Sequence, residues 1–258
     1  MSAERIRARA FGEAADLYER RRPGYPAALY DDVLALVDRG ERALEAGAGT
    51  GKATVELARR GLEVAAFEPD QAMAEIARRT CEGLPVQIYE QPFEEWRGEA
   101  GRFDLVVSAQ AWHWVDRNRG SAVARRALRP GGVLAVWWNQ AGDWDGPLRE
   151  ALDAAYERHA PDLVDSVVNR PVHPLGPESL TIEGFERMRS RNYSWVQRYD
   201  AGSYGELLQT HSDHRLLSPA RLDELLRAVT GVIEHVGRGE ITYPYRTDLL
   251  TARRTDSQ

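Results

Sequence analysis

The run Ala43-Leu44-Glu45-Ala46-Gly47-Ala48-Gly49-Thr50-Gly51 places three alternate glycines after a short apolar stretch, with a helical pattern starting at Lys52. Glycine accepts positive φ and leaves no Cβ between the main chain and a bound group, so a flat ligand can lie against such a turn. The helix start directs free N–H groups at the same place and suits negative charge such as a carboxylate. A phosphate-cradling loop is suggested by Gly51-Lys52, but that pattern needs Gly where Ala46 stands and Ser or Thr where Ala53 stands. A dinucleotide fingerprint begun at Gly47 or Gly49 is also incomplete, because Lys52 or Thr54 occupies its third glycine position. A third use of the turn is to admit an amino-acid tail and a ribose. Glu68, which follows the apolar run Val64-Ala65-Ala66-Phe67 and lies 21 residues after Gly47, can accept hydrogen bonds from both ribose hydroxyls. This spacing serves NAD and S-adenosylmethionine sites alike.

The elements that must position these residues alternate between short Val/Leu/Ala-rich runs and helical patterns, which argues for parallel βαβ units. Strands are expected at 42–46, 63–68, 86–90, 103–108 and 133–138, and helices at 52–60, 70–80 and 117–127, stopped by Gly61, Gly83 and Pro130. Asp70 reads as a helix cap accepting from the N–H of Ala72 or Met73. Ligands of such sheets gather beyond the carboxyl ends of the strands, where Glu45 and Glu68 both fall. Residues 10 to 37 read as two helices separated by Arg22-Pro23-Gly24-Tyr25-Pro26. After residue 139, helices at 147–159, 203–210 and 218–230 surround a strand near 185–197, and a strand near 241–253 closes the chain.

A chain of 258 residues can bury a substantial core and fits one enlarged domain or a domain with an insertion. Cys81 is the single cysteine, which excludes an intramolecular disulfide and a zinc–cysteine cluster. Met1-Ser2-Ala3-Glu4-Arg5 starts no apolar run, and no stretch approaches the roughly 20 apolar residues of a membrane span, so a cytoplasmic, soluble protein is expected. The net charge is −6, Lys52 is the only lysine, and pairs such as Arg59-Arg60 and Arg125-Arg126 end helices, where they complement the macrodipole. No basic stripe interleaved with aromatics is present, which disfavours nucleic acid as a partner.

Four motifs stand in order between 43 and 138: Glu45-x-Gly47-x-Gly49-Thr50-Gly51, Phe67-Glu68-Pro69-Asp70-x-x-Met73, Phe103-Asp104-Leu105-Val106-Val107-Ser108 and Leu128-Arg129-Pro130-Gly131-Gly132. Together they resemble the class I S-adenosylmethionine-dependent methyltransferases. The resemblance implies an α/β fold, a Rossmann-like doubly wound seven-stranded sheet, mostly parallel with an antiparallel last strand. It implies an N-terminal helical lid over 1–40, a cofactor core over 41–140, and a variable region over 141–258 that supplies the C-terminal strands, with 139–183 and 198–220 in a substrate cover. By the same resemblance Glu45, Gly47, Gly49, Thr50 and Gly51 receive the methionine moiety, Glu68 with Pro69 holds the ribose, Met73 packs on adenine, and Gln110 borders the cofactor. Met73 also fits a core role beside Ile76 and Ala77. The acidic residue usual before the adenine loop is Pro92 here, so adenine recognition is expected at the backbone near Phe93 and by stacking.

Methyl transfer from a sulfonium is an in-line displacement in which alignment supplies much of the rate; an ionised carboxylate acceptor needs no base, whereas a phenol or alcohol benefits from one. Gln110-Ala111-Trp112-His113-Trp114-Val115-Asp116 follows the fourth strand, from which class I enzymes face their substrate. His113 can serve as general base, as donor to an acceptor carboxylate, or as a structural imidazole between tryptophans. The Trp112-His113-Trp114 cluster and Tyr18-x-x-x-Arg22-Pro23-x-Tyr25-Pro26 resemble the trans-aconitate methyltransferase-like small-molecule subgroup, without a substrate-specific motif. Tyr18, Arg22, Trp112, Trp114 and Asn139 are candidate substrate contacts, with Arg22 able to grip a carboxylate bidentately. His211 and His214 have helix-like i, i+3 spacing and are read as having no acidic or cysteine companion, so no metal is expected. The expectation is O-methylation of a carboxylate or hydroxyl on a small molecule; a cofactor-binding sensor and an NAD-dependent oxidoreductase are the alternatives.

Overall fold

The computed structural model describes residues 15–37, 41–142, 144–164 and 184–255. Strands β1 (Arg42–Ala46), β2 (Glu63–Phe67), β3 (Val86–Tyr89), β4 (Phe103–Ala109), β5 (Leu128–Ala141), β6 (Phe185–Asp200) and β7 (Glu240–Arg254) form one sheet in the order β3-β2-β1-β4-β5-β7-β6. The first five strands pair in parallel, while β7 runs antiparallel to both β5 and β6. Helices among the described residues are α1 (Ala15–Arg21), α2 (Ala27–Leu34), α3 (Lys52–Arg59), α4 (Gln71–Thr80), α5 (Arg117–Ala127), α6 (Pro147–His159), α7 (Ala201–Gln209) and α8 (Pro219–His235). The strand order reverses between β1 and β4, and the crevice at such a switch point is the ligand position in open α/β sheets.

Strand alternation explains the two-sided core. On β5, Trp137 packs with Leu29, Tyr30, Leu57 and Leu105 on one face, whereas Trp138 joins Phe93, Phe103, Val106 and Trp112 on the other. A separate apolar cluster joins α6, α7 and α8 to β6 and β7 through Leu152, Tyr156, Leu207, Leu225, Val229, Ile233 and Tyr245. It roofs the carboxyl end of the sheet.

Two boundaries differ from the sequence expectation for physical reasons. Strand β5 begins at Leu128 rather than 133, because Gly131 at φ 72 and a register shift between Phe103 and Leu105 let Leu128 pair with Phe103 ahead of the turn. Helix α8 runs to His235, beyond 230, since Gly231 stays helical and the buried stripe continues from Val229 to Ile233. Asp70 caps α4 by accepting from the Met73 N–H at 3.0 Å. Residues 10–14 of the first expected helix and residues 165–183 of the expected cover lie outside the described residues. No helix among the described residues is long and apolar enough to cross a membrane.

Candidate active site

The glycine turn is tied to the second strand before any ligand is considered. Gly47 and Ala48 donate their N–H groups to the Phe67 carbonyl at 2.9 and 3.0 Å. Gly47 has φ 75, and a Cβ there would come within 2.3 Å of the Ala111 Cβ, so this glycine is required by packing against the loop after β4. Gly49 has φ 57 and open space where its Cβ would stand, and it lines a cavity. Gly51 caps α3 and sits away from the cavity wall, against Ala77 and Cys81.

Glu68 closes the turn. Its Oε2 accepts from the Gly49 N–H at 2.8 Å and its Oε1 from the Asp70 N–H at 3.0 Å. Burial pushes its carboxyl up to about 7, with these two backbone donors pulling the other way. Glu45 is fully buried and turns toward α3, where Thr54 Oγ1 donates to its Oε2 at 2.6 Å; burial raises it to about 7 as well.

The cavity, of about 470 Å³, lies along the carboxyl ends of β1, β2, β4 and β5. Gly47, Gly49, Thr50, Glu68, Pro69, Met73 and Phe93 line one part of it; Tyr18, Arg22, Gln110, His113, Trp114 and Asn139 line its continuation. Gln110 takes φ 59, uncommon for a residue with a side chain, and is held there by its N–H to the Trp137 carbonyl (2.9 Å) and by its Oε1, which accepts from the Asn139 N–H (2.9 Å). The Trp138 indole N–H lies 3.2 Å from His113 Nδ1. An indole only donates, so Nδ1 is the acceptor and the neutral ring carries its proton on Nε2.

The N-terminal helices are fastened over this cavity. Asn139 Nδ2 donates to the Gly24 carbonyl at 3.0 Å, while its Oδ1 accepts from Thr247 Oγ1 at 2.6 Å. Lys52 Nζ donates to the Glu19 carbonyl at 2.6 Å and pairs with Glu19 Oε1 at 3.2 Å. Arg22 lies 5.3 Å from the Tyr18 ring centroid, and its Nη2 donates to the Thr210 carbonyl at 3.1 Å. Arg22 Nε and Thr50 Oγ1 are buried and have no partner among the described residues.

Some residues singled out from the sequence stand elsewhere. Trp112 is in the core against Phe93, with ring centroids 6.1 Å apart, because its place on the 112–114 turn packs it with Val106 and Trp138 on one face of the sheet rather than on the cavity wall. Glu45, on β1, and Gly51, at the cap of α3, are not on the cavity wall; Glu45 is bonded instead to Thr54 of α3. His211 and His214 do have an acidic companion: the ligand atoms of His211, Asp213 and His214 lie within 4.8 Å of one another. Sequence reasoning missed Tyr156, Tyr204, Tyr243 and Tyr245 on the cavity wall. Tyr243-x-Tyr245 carried a signal, since a spacing of two puts both rings on one face of a strand.

Residues 43–132 match the family described as methyltransferase domain. An uncharacterized methyltransferase of Mycobacterium tuberculosis is 31% identical over 212 residues, covering 82% of this chain and 80% of that protein.

The chain belongs to the class I S-adenosylmethionine-dependent methyltransferases.

Solved structures agree at the level of fold. One from Anaeromyxobacter dehalogenans, proposed as a type II methyltransferase, superposes with a TM-score of 0.64 at 23% identity, covering 90% of this chain and 97% of that one. Phosphoethanolamine N-methyltransferase 2 of Haemonchus contortus, in complex with S-adenosylmethionine, gives 0.55 at 16% identity over 96% of this chain and 60% of that one. The methyltransferase cofactor is S-adenosylmethionine, and the residues present fit it. The turn is open at Gly49, a buried carboxylate lines the wall at Glu68, and the partnerless Thr50 Oγ1 and Arg22 Nε both belong to residues of the cavity wall.

Proposed function

We propose that the protein transfers the methyl group of S-adenosylmethionine to an oxygen, carboxylate or hydroxyl, of a small organic acceptor. The observation that carries this reading is a cavity that continues from Gly49 and Glu68 to His113, Arg22 and Asn139. A cavity of about 470 Å³ roofed by protein suits a small molecule better than a polymer. When bound, the cofactor supplies a methyl group on a positively charged sulfur.

In this reading Glu68 accepts from the ribose hydroxyls, Thr50 and the glycine turn hold the methionine tail, and Met73 and Phe93 flank the adenine. Arg22, with a buried Nε lacking a partner among the described residues, binds a carboxylate of the cofactor tail or of the acceptor. His113, whose Nδ1 faces the Trp138 indole, offers its Nε2–H as a donor that orients the acceptor oxygen. The described part of the N-terminal segment, residues 15–37, excludes water and fixes the approach, which is where alignment gains its rate. Small carboxylates and phenols are the first acceptors to try.

The test begins with calorimetric titration of S-adenosylhomocysteine, with NADH as control, followed by transfer of labelled methyl to carboxylates, phenols, alcohols, amines, an oligonucleotide and a peptide. Label on an oxygen of a small acceptor is expected. Cofactor binding without transfer to any of these, or transfer only to the polymers, refutes the assignment.

A further inference from the structure

Tyr156, on α6, and His214, on the turn after α7, meet in the cavity wall away from the glycine turn. The Tyr156 hydroxyl lies 2.8 Å from His214 Nε2, and His214 Nδ1 lies 2.9 Å from Asp213 Oδ1. His214 is fully buried, and the two rings meet edge to face at an interplanar angle of 88°. A carboxylate accepts, so Nδ1 carries the proton toward Asp213; Nε2 is then the acceptor and the phenol donates to it. The Tyr156 proton is thereby directed at an imidazole that a carboxylate stabilises, and a phenolic oxygen that gives up its proton in this way gains the capacity to take another. The same ordering of hydroxyl, imidazole and carboxylate activates oxygen in unrelated hydrolytic enzymes.

We propose that Tyr156, backed by His214 and Asp213, takes the proton from a hydroxyl acceptor, so that the substrates of this enzyme are hydroxyl compounds with an aromatic or apolar body. The inference rests on the oxygen-acceptor reading above and narrows it. The acceptor O–H bond breaks as its proton moves to the Tyr156 oxygen and the Tyr156 proton moves to His214 Nε2. The acceptor oxygen forms its bond to the methyl carbon, and the carbon–sulfur bond breaks with its electron pair returning to sulfur. One proton is left on the imidazole beside Asp213 and leaves to solvent with the product. The surrounding wall of Tyr204, Leu207, Tyr243 and Tyr245 suits an aryl body. Tyr156 is as buried as Tyr204 and Tyr245 and is set apart from them by the imidazole that its hydroxyl meets. A metal ion at His211, Asp213 and His214 is the competing use of the cluster, and it would have to displace Asp213 from Nδ1 or Tyr156 from Nε2.

Acceptor acidity provides the test. Phenol needs a base, whereas 4-nitrophenol is already largely ionised near neutral pH. Tyr156→Phe should lower kcat/KM for phenol by about 10²-fold, the usual contribution of a general base, and leave 4-nitrophenol turnover and S-adenosylhomocysteine binding little changed. His214→Gln, which keeps hydrogen-bonding capacity but cannot take the proton, should repeat the pattern. Thermal melts of both variants establish that they are folded. Equal losses on the two acceptors, undiminished phenol turnover in both variants, or methylation of benzoate but neither phenol, would overturn the relay while leaving oxygen methylation standing. Activity lost to EDTA and restored by zinc would overturn it in favour of a metal site. Failure of the wild-type enzyme on every oxygen acceptor refutes the acceptor reading itself and the relay with it.

Discussion

Alanine at Gly49 and alanine at Gly47 should fail in different ways, and the difference follows from what each missing Cβ would meet. At Gly49 the backbone has φ 57 and nothing lies within 4 Å of the added carbon. The cost to folding is then the left-handed conformation alone, about 1 kcal/mol, which in a chain of 258 residues lowers Tm by roughly 2–4 °C. The residue does, however, line the cavity at the turn, where an added methyl competes with a ligand for space. S-adenosylhomocysteine should bind at least about tenfold more weakly, a loss of about 1.4 kcal/mol. At Gly47 the same conformational cost, at φ 75, is joined by a clash, the added carbon standing only 2.3 Å from the Ala111 Cβ. Overpacking adds about 1–3 kcal/mol, so Tm should fall by roughly 5–15 °C and the loop carrying Gln110 and His113 should shift. Scanning calorimetry and S-adenosylhomocysteine titration on both variants separate the effects. Wild-type affinity in Gly49→Ala would refute the placement of the cofactor against this turn, whatever the melting curves show.

Glu68→Ala removes the acceptor for the Gly49 and Asp70 N–H groups together with the expected ribose contact, and cofactor affinity should fall by about 1–3 kcal/mol; unchanged binding in calorimetry removes the ribose assignment. Burial raises Glu45 from 4.5 to about 7, so its contribution to stability is present while the carboxyl is protonated and is lost as pH rises from about 4.5 through about 7. At pH 8 the buried charge costs about 3 kcal/mol; Glu45→Gln should therefore melt higher than wild type at pH 8 and near it at pH 4.5, and equal melting at both refutes a buried ionised Glu45. His113→Gln should lower turnover with little change in S-adenosylhomocysteine affinity, and turnover that survives intact would make the imidazole structural. Trp112→Ala opens a cavity between Phe93 and the sheet; it should cost about 3–5 kcal/mol of stability by chemical denaturation, and a much smaller loss would mean that the indole packs in the cavity after all.

Local chemistry was enough to place much of the framework. Gly47, Gly49 and Gly51 marked the turn because few residues besides glycine adopt positive φ readily, and Glu68 marked the tip of β2 because a carboxylate after an apolar run has little use in a core. The parallel pattern of β1 to β5 was legible because strands buried on both faces read as continuous apolar runs. Side-chain direction and long-range partnership were not encoded locally. Whether Trp112 or Trp114 reaches the cavity depends on which way a single short turn rotates, and Glu45 turned to Thr54 because α3 packs over it. Tyr156 and His214 are separated by 58 residues and meet because α6 and the end of α7 converge in the roof of the cavity. A spacing rule cannot express that contact, since it is made by the packing of one apolar cluster against another. By itself, then, the sequence determined the cofactor turn and the parallel strands around it, where backbone conformation dictates residue type. The tertiary structure alone decided which side chains face the acceptor, because that depends on how distant helices dock.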